Sequence, residues 1–401
     1  MKTLKILHFA DTHIDSVQSG KWDPKTGLPI RAMDFLKSLD TIVQAAIDEK
    51  VDLVLFAGDA YKDRNPTPQY QDAFASRILR LEDAQIPTYL LVGNHDMGAL
   101  SKAHALTDFK TFGTKYIQVM DEISLTQWGP GYDLICLPWV HKSQLILGKV
   151  IQQLEEMIEG MDPETPNIFL GHCSVVGAQF SSEKLVMLGE DLMLPLKLLT
   201  ESGFDYVALG HIHKAQGLNN DPNEPPIVYP GSIERVDWGE AGEHKCFVIA
   251  DITKDEVWMD WRELDTRPML DYEVLLESKE DIYETIYREM PEIIGPFGAS
   301  DPGVMIRIKL HYPEQWAGLI SNQQIEQMFP DAFSVQIVHD PIREGRTRLD
   351  LDQDIASYEP GELLRMWMEE KGIEGDDQEE LMSLAINLFG GADEQESIRA
   401  D

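Results

Sequence analysis

The feature that most constrains how this chain can fold is a pattern repeated through its first two thirds: a short apolar run, then an abrupt cluster of His, Asp, Asn or Gly. The runs are Leu4–Ala10, Val51–Ala57, Thr88–Val92, Leu134–Leu137, Asn167–Leu170 and Tyr206–Leu209. Runs this short and this continuously apolar read as strands buried on both faces, because a strand with one wet face alternates instead. Helix-period stretches lie between several of them, at Phe35–Glu49 and Gln69–Ala84. The expectation is an α/β fold with helices covering a sheet.

Near Leu270 the pattern changes. Strand-like Tyr272–Leu276, Val304–His311 and Ser334–His339 alternate with helix-like Lys279–Met290 and Ile320–Met328, and no chemical cluster accompanies them. This predicts a small α+β second domain, entered through the turn-prone stretch Asp265–Pro268. After Arg346 the chain becomes acidic and helical, with Leu363, Leu364, Trp367, Leu381, Leu384, Ala385 and Leu388 at helical spacing. Such a stripe needs a cover, either its own domain or a partner that takes a helix in a groove. Gly390–Asp401 reads as a frayed tail. A chain of 401 residues exceeds one ordinary core, and the expected divisions are 1–268, 269–345 and 346–401.

Five clusters follow the buried strands at their carboxyl ends: Asp11-Thr12-His13, Gly58-Asp59, Gly93-Asn94-His95-Asp96, Gly171-His172 and Gly210-His211-Ile212-His213. At that edge of an α/β sheet the loops converge over one crevice. Imidazole, carboxylate and amide donors without thiolate suit ions of borderline to hard character. The Asp-x-His and His-x-His spacings put alternate side chains on one side of extended backbone, so both members can face one ion. The glycines before Asp59, Asn94, His172 and His211 are expected to permit sharp turns out of the strands.

Composition narrows the class. An apolar fraction of 43% and a charged fraction of 26% describe a soluble globular protein. No apolar run approaches the roughly 20 residues that cross a bilayer, so no membrane partner is expected. His8 and Asp11 interrupt the amino-terminal apolar stretch before a signal-peptide core can form. Cys136, Cys173 and Cys246 are odd in number and widely spaced, unlike a disulfide scaffold or a thiolate zinc site. A cytoplasmic location fits best. The formal charge of -36 is awkward for a nucleic-acid enzyme, whose ligand is normally met by excess Lys and Arg, although bound metals or a basic partner would offset it.

The five clusters, in this order, are similar to the motifs of calcineurin-like metallophosphoesterases. The resemblance narrows toward the SbcD and Mre-type DNA repair nuclease subunits through Leu7-His8-Phe9-Ala10-Asp11-Thr12-His13, Ala57-Gly58-Asp59-Ala60-Tyr61 and Tyr229-Pro230-Gly231-Ser232-Ile233-Glu234-Arg235. It covers about residues 1–268 strongly and the rest loosely. It implies a metallophosphoesterase sandwich, two central β-sheets flanked by helices, with a small α+β capping domain and C-terminal helices.

Carried over position by position, the resemblance implies two divalent metal ions, with Mn2+ as the expected metal. Asp11, His13 and His213 would hold one, Asn94, His172 and His211 the other, and Asp59 would bridge them. His95 would stabilise the transition state or protonate the leaving oxygen, and Asp96 would fix its orientation. Where many members have a second catalytic histidine this chain has Lys62, followed by Asp63 and Arg64. Lys62 and Arg64 are candidates to contact the substrate phosphate; Arg235 could do so too, or pair with Glu240. The implied activity is a metal-dependent DNA exonuclease and endonuclease, a homodimer working with an SbcC-like coiled-coil ATPase. A phosphatase or phosphodiesterase acting on nucleotides or small esters is the alternative, and a degenerate docking protein is a third. His8, His104, His141, His244, His311 and His339 are expected to be ordinary core or surface histidines. Cys173 reads as a buried thiol, Trp139 as packing, and Trp238 as packing or a lining of the cleft.

Overall fold

The computed structural model describes residues 3–16, 21–97, 104–126, 131–140, 147–181, 192–219, 221–254, 256–289, 303–342 and 360–373, with 375, 378, 381, 382 and 385. His141, Met290, Leu384, Leu388, Gly390–Asp401 and the stretch 346–359 lie outside the described residues. The chain divides into two compact units: Met1–Asp271 with Ile293–Arg307 and Asp331–Ser334, and Tyr272–Glu292 with Ile308–Pro330 and Val335–Asp401.

In chain order the first unit begins β1 (Leu4–Phe9), α1 (Ile30–Asp48), β2 (Leu53–Phe56), α2 (Pro68–Asp83), β3 (Thr88–Leu91), β4 (Ile117–Met120), β5 (Ser124–Thr126), β6 (Asp133–Leu137) and α3 (Leu147–Ile158). It continues with β7 (Asn167–His172), β8 (Ser174–Val175), β9 (Met193–Leu194), α4 (Leu196–Thr200), β10 (Tyr206–Gly210), β11 (Gln216–Gly217), β12 (Ile227–Tyr229), β13 (Cys246–Ile252) and β14 (Val257–Glu263). Two six-stranded sheets result, ordered β14-β13-β1-β2-β3-β4 and β11-β12-β10-β7-β6-β5. β1 to β4 run parallel, as do β6, β7, β10 and β12, and antiparallel strands finish the edges.

The alternation of side chains along each strand explains the continuous apolar runs. In β1 and β2, Leu4, Ile6, Leu53 and Leu55 enter a core shared with Leu134, Cys136, Ile168, Leu170, Tyr206 and Ala208 of the other sheet. Leu7, Phe9, Val54 and Phe56 point the opposite way, against Phe35, Leu39 and Ile42 of α1 and Phe74 and Ile78 of α2. In the second sheet Ile135, Leu137, Phe169, Val207 and Leu209 turn outward onto Val150 and Leu154 of α3 and Leu199 of α4. The order is helix, sheet, sheet, helix, the α/β sandwich that the resemblance implies. Periodicity alone does not distinguish one covered sheet from two, since both bury every strand on both faces; the structure has two. Cutting a fully buried residue such as Phe56 back to Ala in such a core costs about 3–5 kcal/mol.

β15 (Met269–Leu275), α5 (Ile282–Glu289), β16 (Met305–Pro313), α6 (Asn322–Gln327), β17 (Ser334–Ile342) and α7 (Pro360–Glu370) follow, with the three strands ordered β15-β16-β17. Ile306, Ile308, Leu310 and Tyr312 are buried while their neighbours in β16 are half-buried, the period-two pattern of a sheet with one wet face. The helix expected over Ile320–Met328 begins later, because Ser321 caps it by accepting the N–H of Gln324. A 3-10 turn, Glu314–Leu319, precedes it.

Candidate metal centre

The five loops that leave β1, β2, β3, β7 and β10 are laced to one another at the carboxyl edges of the two sheets. Asp11 N–H donates to the Gly58 carbonyl (2.9 Å) and Thr12 N–H to the Asp59 carbonyl (2.9 Å). His172 Nδ1 donates to the Ala57 carbonyl (2.7 Å). The His211 N–H reaches both carboxylate oxygens of Asp11 (3.1 and 3.0 Å). Asp96 accepts from Asp59 N (2.9 Å), Ala60 N (2.9 Å), Gly93 N (3.0 Å) and, at longer range, Tyr61 N (3.4 Å).

That lacing holds strained backbone. Asp11, His13, Asp59 and His211 have φ of +50°, +37°, +62° and +95°, four of six such non-glycine residues among those described. Each costs on the order of 1–3 kcal/mol for an L residue, strain that persists only where the surroundings over-determine it. The glycines work differently from the turn role expected of them. Gly58 does take a positive φ, +99°, but Gly93 and Gly210 are required by close approach: a Cβ on Gly93 would lie 2.1 Å from Asp59 Oδ1, and one on Gly210 would lie 2.1 Å from the Ala57 carbonyl oxygen.

Asp11, His13, Asp59, Asn94, His172, His211 and His213 come together here; Asn94 is half-buried and the other six are buried. His13 directs Nδ1 at the Tyr61 carbonyl (3.2 Å) and His213 directs Nδ1 at Glu240 Oε1 (2.7 Å). Both acceptors lack hydrogens, so both Nδ1 atoms carry one and the two Nε2 atoms are bare, yet those Nε2 atoms face each other at 3.1 Å. Two converging lone pairs in a dry site make sense around a cation. Asp59 Oδ2 lies 3.6 Å from His13 Nε2 and 3.4 Å from His172 Nε2, between the two halves of the cluster. Asn94 Oδ1 lies 2.9 Å from His172 Nε2 and 3.0 Å from His211 Nδ1. Donor atoms of Asp11, His13 and His213 fall within 4.8 Å of one another, as do those of Asp11, Asp59 and His172. The nitrogen and oxygen donor set fits divalent ions of borderline to hard character.

The electrostatics are those of a site built to compensate charge. Burial pushes the Asp11 carboxyl up to about 6, against the pull of His172 and His213. Burial alone would lower His172, but the Asp59 carboxylate, then Asp11 and the Ala57 carbonyl, carry it up to about 9. Burial likewise would raise Asp59, which His172, His95 and His13 hold well below the usual carboxylate range.

Two expectations need correction. Asp96 does not orient His95; its carboxylate takes main-chain N–H groups of the second and third loops, and His95 Nδ1 instead meets the Lys62 carbonyl (2.9 Å). Arg235 is not available to a phosphate, because its guanidinium is half-buried and donates to Thr266 Oγ1 (2.7 Å) and the carbonyls of Arg267 (3.0 Å) and Glu243 (2.7 Å). Nor does it pair with Glu240, whose carboxylate holds His213, Lys245, Ser232 and the Val236 N–H. Lys62 and Arg64 are exposed. The Lys62 N–H is held by Asp15, which is buried. Burial lowers His95 and the Lys62 ammonium lowers it further, against the Asp59 carboxylate.

Sequence reasoning missed Glu240, Lys245 and Asp15. Nothing local marks Glu240 among the 70 acidic residues of the chain. Outside the centre, His8 is a core histidine beside the Tyr206 hydroxyl (3.1 Å), lowered to about 3 by burial. Trp238 packs under the Arg307 guanidinium, 5.0 Å from its ring centroid.

A calcineurin-like phosphoesterase family model matches residues 4–215, the segment that contributes every one of these metal-facing groups, and the chain belongs to that family. Among individual proteins it is similar to the SbcD subunit of the SbcCD nuclease of Bacillus subtilis, at 23% identity over 98% of this chain and 100% of that one. The corresponding SbcCD nuclease subunit of Staphylococcus epidermidis is 25% identical over 70% of this chain and 74% of its own. DNA double-strand break repair protein Mre11 of Methanosarcina acetivorans is 24% identical over 73% of this chain, which spans only 44% of that relative's length. No helix among the described residues is long and apolar enough to cross a membrane.

Proposed function

We propose that the chain is a metal-dependent DNA exonuclease and endonuclease that hydrolyses phosphodiester bonds at this centre as the SbcD-like subunit of a repair complex. The observation that carries the reading is the meeting of the bare Nε2 atoms of His13 and His213 beside a buried carboxylate, Asp59, that also faces the His172 imidazole in the other half of the cluster. The similarity along nearly the whole chain to a nuclease subunit supports the DNA substrate and an SbcC-like coiled-coil ATPase as partner. Mn2+ as the metal, a homodimer, a cytoplasmic location and the divisions at 268 and 345 belong to the same proposal.

Asp11, His13 and His213 would hold one ion and Asn94, His172 and His211 the other, with Asp59 between them. Bound there, the two ions would supply Lewis acidity and neutralise charge as water attacks the phosphorus. His95 is fixed by its Nδ1 bond to the Lys62 carbonyl, which leaves Nε2 to face a leaving oxygen and, in the imidazolium form, to protonate it. The exposed Lys62 ammonium is near enough for its charge to lower His95 and His13 and can meet a phosphate as a point charge.

The test is Mn2+-dependent cleavage of an end-labelled DNA duplex by the purified chain, with His95→Ala and Asp59→Ala alongside and a chromogenic phosphodiester as control. The expected result is cleavage that both substitutions abolish, with metal retained by His95→Ala. The formal charge of -36 favours a second reading, a phosphodiesterase acting on nucleotides or small esters. Turnover of the small ester alone, even with a coiled-coil ATPase added, would establish that one, and silence on both substrates would leave a docking protein.

A further inference from the structure

We infer that Glu240 is a positioning residue that fixes the ring orientation and tautomer of His213 as a metal ligand. The inference rests on the reading of His213 as a ligand. His13, His95 and His172 direct Nδ1 at main-chain carbonyls, those of Tyr61, Lys62 and Ala57. His213 directs Nδ1 at a carboxylate, Glu240 Oε1, at 2.7 Å, in a setting where Glu240 has no exposed surface. A carboxylate acceptor locks the ring and its tautomer, and its charge raises the basicity of the opposite nitrogen. Little solvent screens it there.

The other oxygen of Glu240 explains how a buried carboxylate persists. Oε2 accepts from Lys245 Nζ (2.7 Å), Ser232 Oγ (3.1 Å) and Val236 N–H (3.0 Å). Lys245, itself buried, also donates to Glu243 Oε2 (2.9 Å) and to the His213 carbonyl (3.1 Å). The ammonium thus grips both the carboxylate that holds the imidazole and the main chain beneath it. Glu240 lies in the 3-10 turn Trp238–Glu240, which Asp237 begins by accepting the Gly239 N–H.

Glu240→Gln is a sharp perturbation because of that asymmetry. Three donors surround Oε2, so the amide oxygen of Gln settles there and its NH2 turns toward His213. The imidazole must then present a bare Nδ1 and carry its hydrogen on Nε2, where it cannot bind a metal. The experiment is calorimetric titration of the metal-free full chain with Mn2+, for wild type, Glu240→Gln and His213→Ala, with thermal unfolding of each metal-free protein.

The expected result is two binding steps in wild type, one of them weakened about 10- to 100-fold or more by Glu240→Gln, the other unchanged, and the same step lost in His213→Ala. Unchanged steps in Glu240→Gln, or equal weakening of both with a lowered melting temperature, overturn the inference and leave the metal centre standing. A wild-type chain that binds no Mn2+ overturns both. Should Glu240→Gln fail to fold, histidine-15N spectra of the Zn2+-loaded wild type decide. The His213 Nδ1 proton is expected downfield of those of His13 and His172, and a position among them overturns the inference.

Discussion

Asp96→Ala removes the acceptor that joins the second and third loops. Three buried N–H groups, those of Asp59 (2.9 Å), Ala60 (2.9 Å) and Gly93 (3.0 Å), lose a close partner, and Tyr61 N–H loses a longer one (3.4 Å). Leaving a buried donor unsatisfied costs about 1–3 kcal/mol. Water entering the space left by the carboxylate would hold the three close bonds to the lower part of that range, about 3–5 kcal/mol in all. That is a large part of the roughly 5–15 kcal/mol by which a protein is stable. Urea denaturation of the metal-free protein, followed by tryptophan fluorescence, is expected to show this loss, and Mn2+ affinity should fall with it because Asp59 is no longer held. His95→Ala supplies the contrast: a half-buried ring with one main-chain bond, whose removal should abolish cleavage yet cost about 1 kcal/mol or less and leave the metals bound. If Asp96→Ala behaved like His95→Ala, with stability and metal binding intact and cleavage gone, the lacing role assigned to its carboxylate would be wrong.

Gly93→Ala places a Cβ 2.1 Å from Asp59 Oδ1 and 2.5 Å from Asp59 N; displacing that carboxylate by about 1 Å is expected to lower kcat/KM on the order of 10²-fold, and wild-type turnover would refute the close-approach reading. Metal binding should release protons: His172 is raised to about 9 and Asp11 to about 6 in the metal-free chain. A raised histidine stabilises the metal-free fold below the ordinary range near 6.5, and that contribution is lost as pH climbs through about 9. Mn2+ affinity is therefore expected to rise about tenfold per pH unit toward pH 9 and more steeply below pH 6, read as proton release by calorimetry in buffers of different ionisation enthalpy. Lys62→Ala is expected to raise KM for DNA, whereas Arg235→Ala should leave KM unchanged and lower stability by about 1–3 kcal/mol; a raised KM in Arg235→Ala would restore it to the substrate.

The candidate ligands were legible in the sequence because they are carried by short local signals, and the structure brings them together. An apolar run buried on both faces must end in a loop, and five such loops bear His, Asp or Asn at spacings that suit a cation. Whether those strands form one sheet or two was not legible in their periodicity, since the pattern Leu53-Val54-Leu55-Phe56 is the same in either case; the two sheets were implied only by the resemblance. The start of α6 was misplaced because Ser321 acts through its side chain on Gln324, a local competition that outweighs the apolar spacing before it.

The sequence by itself determined the candidate ligand set, the strands that deliver it and the break in pattern near Leu270, all properties of residues close together in the chain. Only the tertiary structure decided which groups hold those ligands in place. The Tyr61, Lys62 and Ala57 carbonyls are main-chain atoms that a residue of any type could have supplied, and their aim depends on backbone angles such as the +62° at Asp59. Asp96 could have faced His95 or the amides of the second loop, and Arg235 a phosphate or the carbonyls of Glu243 and Arg267. Each choice was made by the cost of leaving a buried donor or charge unpaired, a cost that exists only once the loops have met.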